Sequence, residues 1–170
     1  MIKSRLYIKW AAYGLLLILL YVLQMTPGLF PRFFGASPIL IIPAVVVLSM
    51  FLSETEAAAF GLLCGLFWDV GGPFIIGFNA IILLVSCSVV SLLISFLMRN
   101  NIITALLLGS GILVLQALLW WFFFKVIWSY PGQWYLLLYN ILPTIIYSIL
   151  FIPPFYYGAR TLCSRLEDVQ

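Results

Sequence analysis

Apolar positions fall in long blocks along this chain, separated by short polar or Gly/Pro-rich breaks. Residues 10–24, 39–52, 78–98, 102–128 and 134–157 are runs of mainly aliphatic and aromatic side chains, interrupted only by glycines, a cysteine, hydroxyls, amides, prolines and one lysine. A helix needs roughly 20 residues to cross a bilayer, and most of these blocks approach or exceed that length. The first block follows Lys3, Arg5 and Lys9, as the apolar part of a signal peptide would. No small-x-small cleavage site follows it, because Met25-Thr26-Pro27-Gly28 is turn sequence, so the block reads as a retained span. Its eight Leu, Ile and Val residues contribute about −2.4 to −4.8 kcal/mol to insertion, enough to insert unaided.

A sixth segment, residues 54–69, is weaker. From 54 to 70 only six residues are Leu, Phe or Val, worth about −1.8 to −3.6 kcal/mol, set against Glu54, Glu56, Asp69 and two glycines. Such a helix needs neighbours. The breaks are explicit: residues 26–38 hold three prolines, two glycines and Arg32. Residues 70–77 form a Gly/Pro turn, Arg99-Asn100-Asn101 a polar turn, and residues 129–133 another turn. Pro43 falls in the first turns of the second span, where proline does least harm. The pattern therefore predicts an all-α polytopic membrane protein of six transmembrane helices, one integral membrane domain over residues 1–170.

Composition narrows the function classes. The chain of 170 residues is 65% apolar and 8% charged, where soluble domains carry about 25% charge, so a water-soluble fold is excluded. Six spans use about 120 residues and leave no room for a soluble domain. The absence of histidine removes the commonest general base and metal ligand. Cys64, Cys87 and Cys163 are few and far apart, and the first two lie inside apolar segments, so no disulfide, metal centre or cofactor is expected. The net charge of +3 forms no dense patch and points to membrane orientation rather than nucleic acid. With six spans, Lys3, Arg5, Lys9, Arg99, Arg160 and Arg165 share one side, against Arg32 and the membrane-edge Lys125 on the other. The positive-inside rule places both termini in the cytoplasm. Trp120, Trp121, Trp128, Tyr130, Trp134 and Tyr135 agree, as an aromatic belt at the opposite interface.

The candidate chemistry lies in residues 54–80. Gly61, Gly65 and Asp69 recur at i, i+4 and i+8 and share one helix face, extended by Ala57. A small-xxx-small face lets a second helix approach closely, either another span of this chain, the commoner use, or a partner. A carboxylate at membrane depth is costly unless paired or hydrated. Asn79 and the free N–H groups opening the fourth span are the candidate partners of Asp69; the competing reading is a contact to a partner or solute. Ser88, Ser91 and Ser95 form a stripe with Cys87 that reads as a packing face, and Gln116 and Asn140 read as isolated interhelical hydrogen-bonding amides. Glu54 and Glu56 sit in a turn, solvated or docking a cytoplasmic partner.

Residues 38–80 resemble the MreD family of rod shape-determining membrane proteins. The resemblance rests on Pro38 opening an apolar span, the acidic Glu54 and Glu56, the run Gly61-x-x-x-Gly65-Leu66-x-x-Asp69, and then Gly77-Phe78-Asn79-Ala80. Ile39 departs from the family pattern, which often has a polar residue there, and the remaining spans match only in hydrophobicity. The resemblance implies a non-enzymatic component of the elongasome in the bacterial cytoplasmic (inner) membrane. It implies binding to MreC and, through it, a link from MreB to RodA and its penicillin-binding transpeptidase, which build the lateral peptidoglycan. It also implies the architecture of the S subunits of energy-coupling-factor transporters. Gly61, Gly65 and Asp69 would order the third span and support the MreC interface. The alternative is a small solute-binding or transport subunit with a pocket near Asp69 and Asn79. An enzyme would need at least two convergent polar groups, which so few acids and no histidine scarcely supply.

Overall fold

The computed structural model describes residues 2–26, 38–71, 76–127 and 133–167. Arg32 and its proline-rich stretch, Gly72-Pro73, Trp128 and Tyr130 lie outside the described residues. The fold is all-helical, with no strand among the described residues: α1 (Ile2–Met25), α2 (Ile41–Ser49), α3 (Glu54–Gly71), α4 (Phe78–Phe96), α5 (Ile102–Trp121), α6 (Gln133–Leu136), α7 (Leu142–Ile149) and α8 (Ile152–Glu167). A π-helical segment, Phe122–Val126, prolongs α5, and another, Leu137–Ile141, joins α6 to α7.

Three helical stretches are long and apolar enough to cross a membrane: Phe78–Phe96, Ile102–Val126 and Leu137–Ser164. The first three expected spans take a different form. The apolar part of α1, Tyr13–Gln24, is shorter, and α3 is 18 residues long but carries acidic residues in its first turn. Nine-residue α2 is only about 14 Å long, half the hydrocarbon thickness. Every residue of α2 is buried, and α1, α3, α4, α5 and α8 all pack against it. Its Val and Ile side chains therefore face protein, which a hydrophobic run cannot distinguish from facing lipid.

A short buried helix leaves polar backbone ends; backbone bonds such as Phe51 N to Leu48 O take up some of them, and side chains take others. Gln24 Oε1 at the end of α1 accepts from Leu40 N and Ile41 N, both at 3.0 Å. Ser148 Oγ of α7 accepts from Ile39 N at 2.8 Å, and Pro43 has no N–H to place. At the other end Asn100 Nδ2 donates to Met50 O at 3.2 Å and Ser91 Oγ to Leu52 O at 2.8 Å. The serine stripe thus divides: Ser91 ties α4 to the α2–α3 turn, Ser88 bonds its own helix at Leu84 O, and Ser95 is exposed.

The prolines coincide with the changes of helical form in the last apolar block. Pro143 lies in the first turn of α7, directly after the π-helical Leu137–Ile141, which absorbs the register change that its missing N–H imposes. Pro153 and Pro154 open α8 after a break at Leu150 and Phe151, again within a first turn. Near the π-helical end of α5, Trp121 and Trp134 rings lie 5.2 Å apart, Tyr135 stacks on Tyr139 at 4.4 Å, and Lys125 Nζ lies 5.6 Å from the Trp120 ring.

Candidate functional site

The most extensive helix pair is α3 with α4. They run back to back through the glycine face that the sequence singles out. A Cβ on Gly65 would fall on Ala80 Cα and lie 2.6 Å from Ala80 N and 2.8 Å from Asn79 C, so the two backbones touch there. A Cβ on Gly61 would lie 2.6 Å from Leu83 O and 2.9 Å from Cys87 Sγ. The facing positions on α4, residues 79, 83 and 87, repeat every fourth residue as 61, 65 and 69 do on α3, which is what close antiparallel packing requires. Of the two uses open to this face, the structure gives it to the chain's own fourth helix. In lipid, apolar burial gives little preference for helix over acyl chain, so this approach draws its energy from dispersion and from the hydrogen bonds it allows.

Those bonds converge on Asp69, which is 1% exposed and two residues from the end of α3. Its Oδ2 accepts from Gly77 N at 2.8 Å and Ala80 N at 3.2 Å; its Oδ1 accepts from Asn79 Nδ2 at 2.8 Å and Asn79 N at 3.3 Å. The residue at the N-cap of α4 is Gly77, which has no side chain to cap with and sits at φ 101°, where glycine is favoured. Asp69, reaching over from α3, takes the place of the missing cap. The pairing is electrostatically sound, because the partial positive charge at the start of α4 offsets the unfavourable position of a carboxylate near the end of α3.

The carboxylate also sets the direction of a longer chain of bonds. Asn79 turns its Nδ2 toward Asp69, so its Oδ1 points away and accepts from Gln116 Nε2 of α5. Three helices are linked in the order Asp69, Asn79, Gln116, all buried. Gln116 Oε1, at the end of this series of bonds, is buried and has no partner among the described residues. The Gln116 side chain also lines a cavity of about 240 Å³ with Ile42, Trp68, Leu113, Ala117, Trp120, Asn140 and Thr144. Phe78 fixes the neighbouring start of α4 against α5, with edge contacts to Phe123 at 5.7 Å and Phe124 at 5.3 Å.

Of the residues proposed from sequence, Gly61, Gly65, Asp69, Gly77 and Asn79 come together on this one seam. Glu54 and Glu56 do not; they open α3, about 20 Å from Asp69 along the helix. There they lie at the helix end whose dipole favours acidic groups. Gln116 belongs to the site although its isolation in an apolar run gives no sign of its partner, 37 residues away. Gln24 and Ser148, which hold α2, carry no sequence signal either, since each is a single polar residue in an apolar block. Compared with family models, with curated proteins and with solved structures, the chain finds no match in any of the three.

Proposed function

We propose that this chain is an MreD-like, non-enzymatic membrane scaffold of the bacterial cell-elongation machinery. It binds MreC and helps couple MreB to RodA and its penicillin-binding transpeptidase. The observation that carries this reading is the α3–α4 seam. The residues on which the resemblance rests, Gly61, Gly65, Asp69, Gly77, Asn79 and Ala80, form one continuous physical unit rather than a scatter of common membrane residues.

In this reading the chain crosses the cytoplasmic membrane six times, in the manner of the S subunits of energy-coupling-factor transporters. The passes are α1, the α2 segment, α3, α4, α5 with its π-helical end, and α6 to α8. A nine-residue α2 can serve as a pass because residues 38–52 are almost wholly buried and their backbone ends bond Gln24, Ser148, Ser91 and Asn100. Irregular backbone is tolerated at membrane depth where protein covers it. Asn100 contacts both Met50 O and Tyr156 Oη, which gathers the turns bearing Glu54 and Arg99 and the helix bearing Arg160 at one end. Of the expected aromatic belt, Trp120, Trp121 and Trp134 lie toward the other end, beside the Asp69 seam. Basic residues at the first end make it cytoplasmic, with both termini.

Gly61, Gly65 and Asp69 act on MreC indirectly, by setting α3 on α4 and so shaping the outer surface of the pair, where Leu63, Phe67, Ile81 and Val85 are exposed. Affinity capture of the tagged chain from membranes tests this. The wild type retains MreC, and Gly65→Leu and Asp69→Ala variants that still fold retain less. Undiminished capture by both variants, or no capture by the wild type, overturns it. The second reading, a solute-binding subunit, draws on the cavity beside Asn79; a ligand would then stabilise the chain where a partner helix does not.

A further inference from the structure

We propose that the cavity of about 240 Å³ between α2, α5 and the π-helical joint into α7 holds the end of one acyl chain of a membrane lipid. Its apolar wall is Ile42, Trp68, Leu113, Ala117, Trp120 and Ile141, and no Asp, Glu, Lys or Arg borders it. The amides and the hydroxyl that also line it ask nothing of an occupant. Asn79 engages Asp69 through Nδ2 and Gln116 through Oδ1, Gln116 Oε1 is buried out of reach, and Thr144 Oγ1 donates to Asn140 O at 2.8 Å. Water needs several polar partners and does not fill such a space, and a charge would lose its hydration there without return. An apolar occupant remains, and the volume exceeds the roughly 150 Å³ cavity that accepts benzene. Where the cavity opens decides which one. Asn140 is the exposed residue of its wall, and exposed Leu138 and Leu142 flank it, so the mouth lies among side chains that face lipid. Trp120 in the wall and the Trp121–Trp134 pair beside it mark the level of the lipid headgroups, where such rings settle. A lipid at that height keeps its headgroup and ester at the mouth, beside Asn140, while one tail fills the cavity. A free apolar solute would have to displace the tails that surround the mouth. The proposal rests on the membrane reading of the chain and not on the MreC reading.

Photolabelling of the full chain in nanodiscs tests it, with phosphatidylcholine that bears an aliphatic diazirine near the end of one acyl chain. Residue-level mass spectrometry is expected to find label on Trp68 and Leu113 in the cavity wall as well as on lipid-facing Leu118, and none on Val46 and Leu83, which are buried and do not line it. Ala117→Phe places a ring of benzene's size in the cavity and removes the label from Trp68 and Leu113, while Leu118 stays labelled. Thr144→Phe enters the same space from α7 and has the same effect, which keeps the test decisive if either variant fails to fold, as read from its thermal unfolding midpoint. Label on Trp68 and Leu113 no greater than on Val46 and Leu83, or label there that persists in full in a folded variant, overturns the proposal. Free adamantyl diazirine is the second probe. Label on the cavity wall from it, with none from the lipid probe, assigns the cavity to a free apolar solute and overturns the lipid assignment.

Discussion

Replacing Asp69 with asparagine keeps the shape of the side chain and removes only its capacity to accept on both oxygens. Whichever way the new amide lies, an –NH2 group stands where one carboxylate oxygen stood. It then faces either Gly77 N and Ala80 N, or Asn79 N and Nδ2. In the first case Gly77 N and Ala80 N lose their acceptor; in the second the Asn79 and Gln116 amides, no longer oriented by a carboxylate, turn over, and Asn79 N alone loses its acceptor. The second arrangement costs less and sets the loss. A buried unpaired donor costs roughly 1–3 kcal/mol, and interhelical hydrogen bonds in membranes average only about 0.6 kcal/mol because separated helices find other partners. The expected loss is therefore about 1–3 kcal/mol. Equilibrium unfolding of the purified chain in mixed micelles with increasing dodecyl sulfate measures it. Glu54→Gln is the control, an acid at the exposed start of the same helix, expected within about 0.5 kcal/mol of wild type. Asp69→Asn unfolding within that same margin would refute the argument that Asp69 caps α4.

Other consequences follow from the same geometry. Gly65→Ala drives a methyl group into the backbone of residues 79 and 80 and lowers the unfolding midpoint, whereas Gly111→Ala, with nothing within 4 Å of the new Cβ, leaves it unchanged or raises stability by about 0.5–1 kcal/mol. A midpoint lowered equally by both would contradict the close approach at Gly65. Gln24→Leu strips the acceptor from Leu40 N and Ile41 N, at roughly 1–3 kcal/mol for each N–H left buried. Amide hydrogen exchange at those two positions then accelerates relative to the centre of α2.

The α3–α4 seam was legible in the sequence because all of its determinants are local. Asp69 and Asn79 are ten residues apart across one turn, and a four-residue glycine spacing implies a close helix partner whatever the rest of the fold. Its extension to Gln116 was not, because an amide in an apolar helix carries no information about which of several helices it meets. The surroundings of residues 39–52 were not legible for a related reason. Hydropathy reports that a segment avoids water, and α2 does so inside a ring of helices rather than against lipid. Its shortness depends on Gln24, Ser148, Ser91 and Asn100 receiving its ends, contacts that span from 16 to 109 residues of sequence. In the last block the prolines are plain in the sequence, but the π-helical segment Leu137–Ile141 before Pro143 depends on tertiary packing.

The central claim is that this chain serves the cell-elongation machinery rather than solute transport, and depletion in the rod-shaped cell that carries it tests that claim most directly. Microscopy should show the depleted cells losing their rod shape and rounding, with solute uptake intact and rods restored by the wild-type copy. Rods that keep their shape and width through depletion would contradict it.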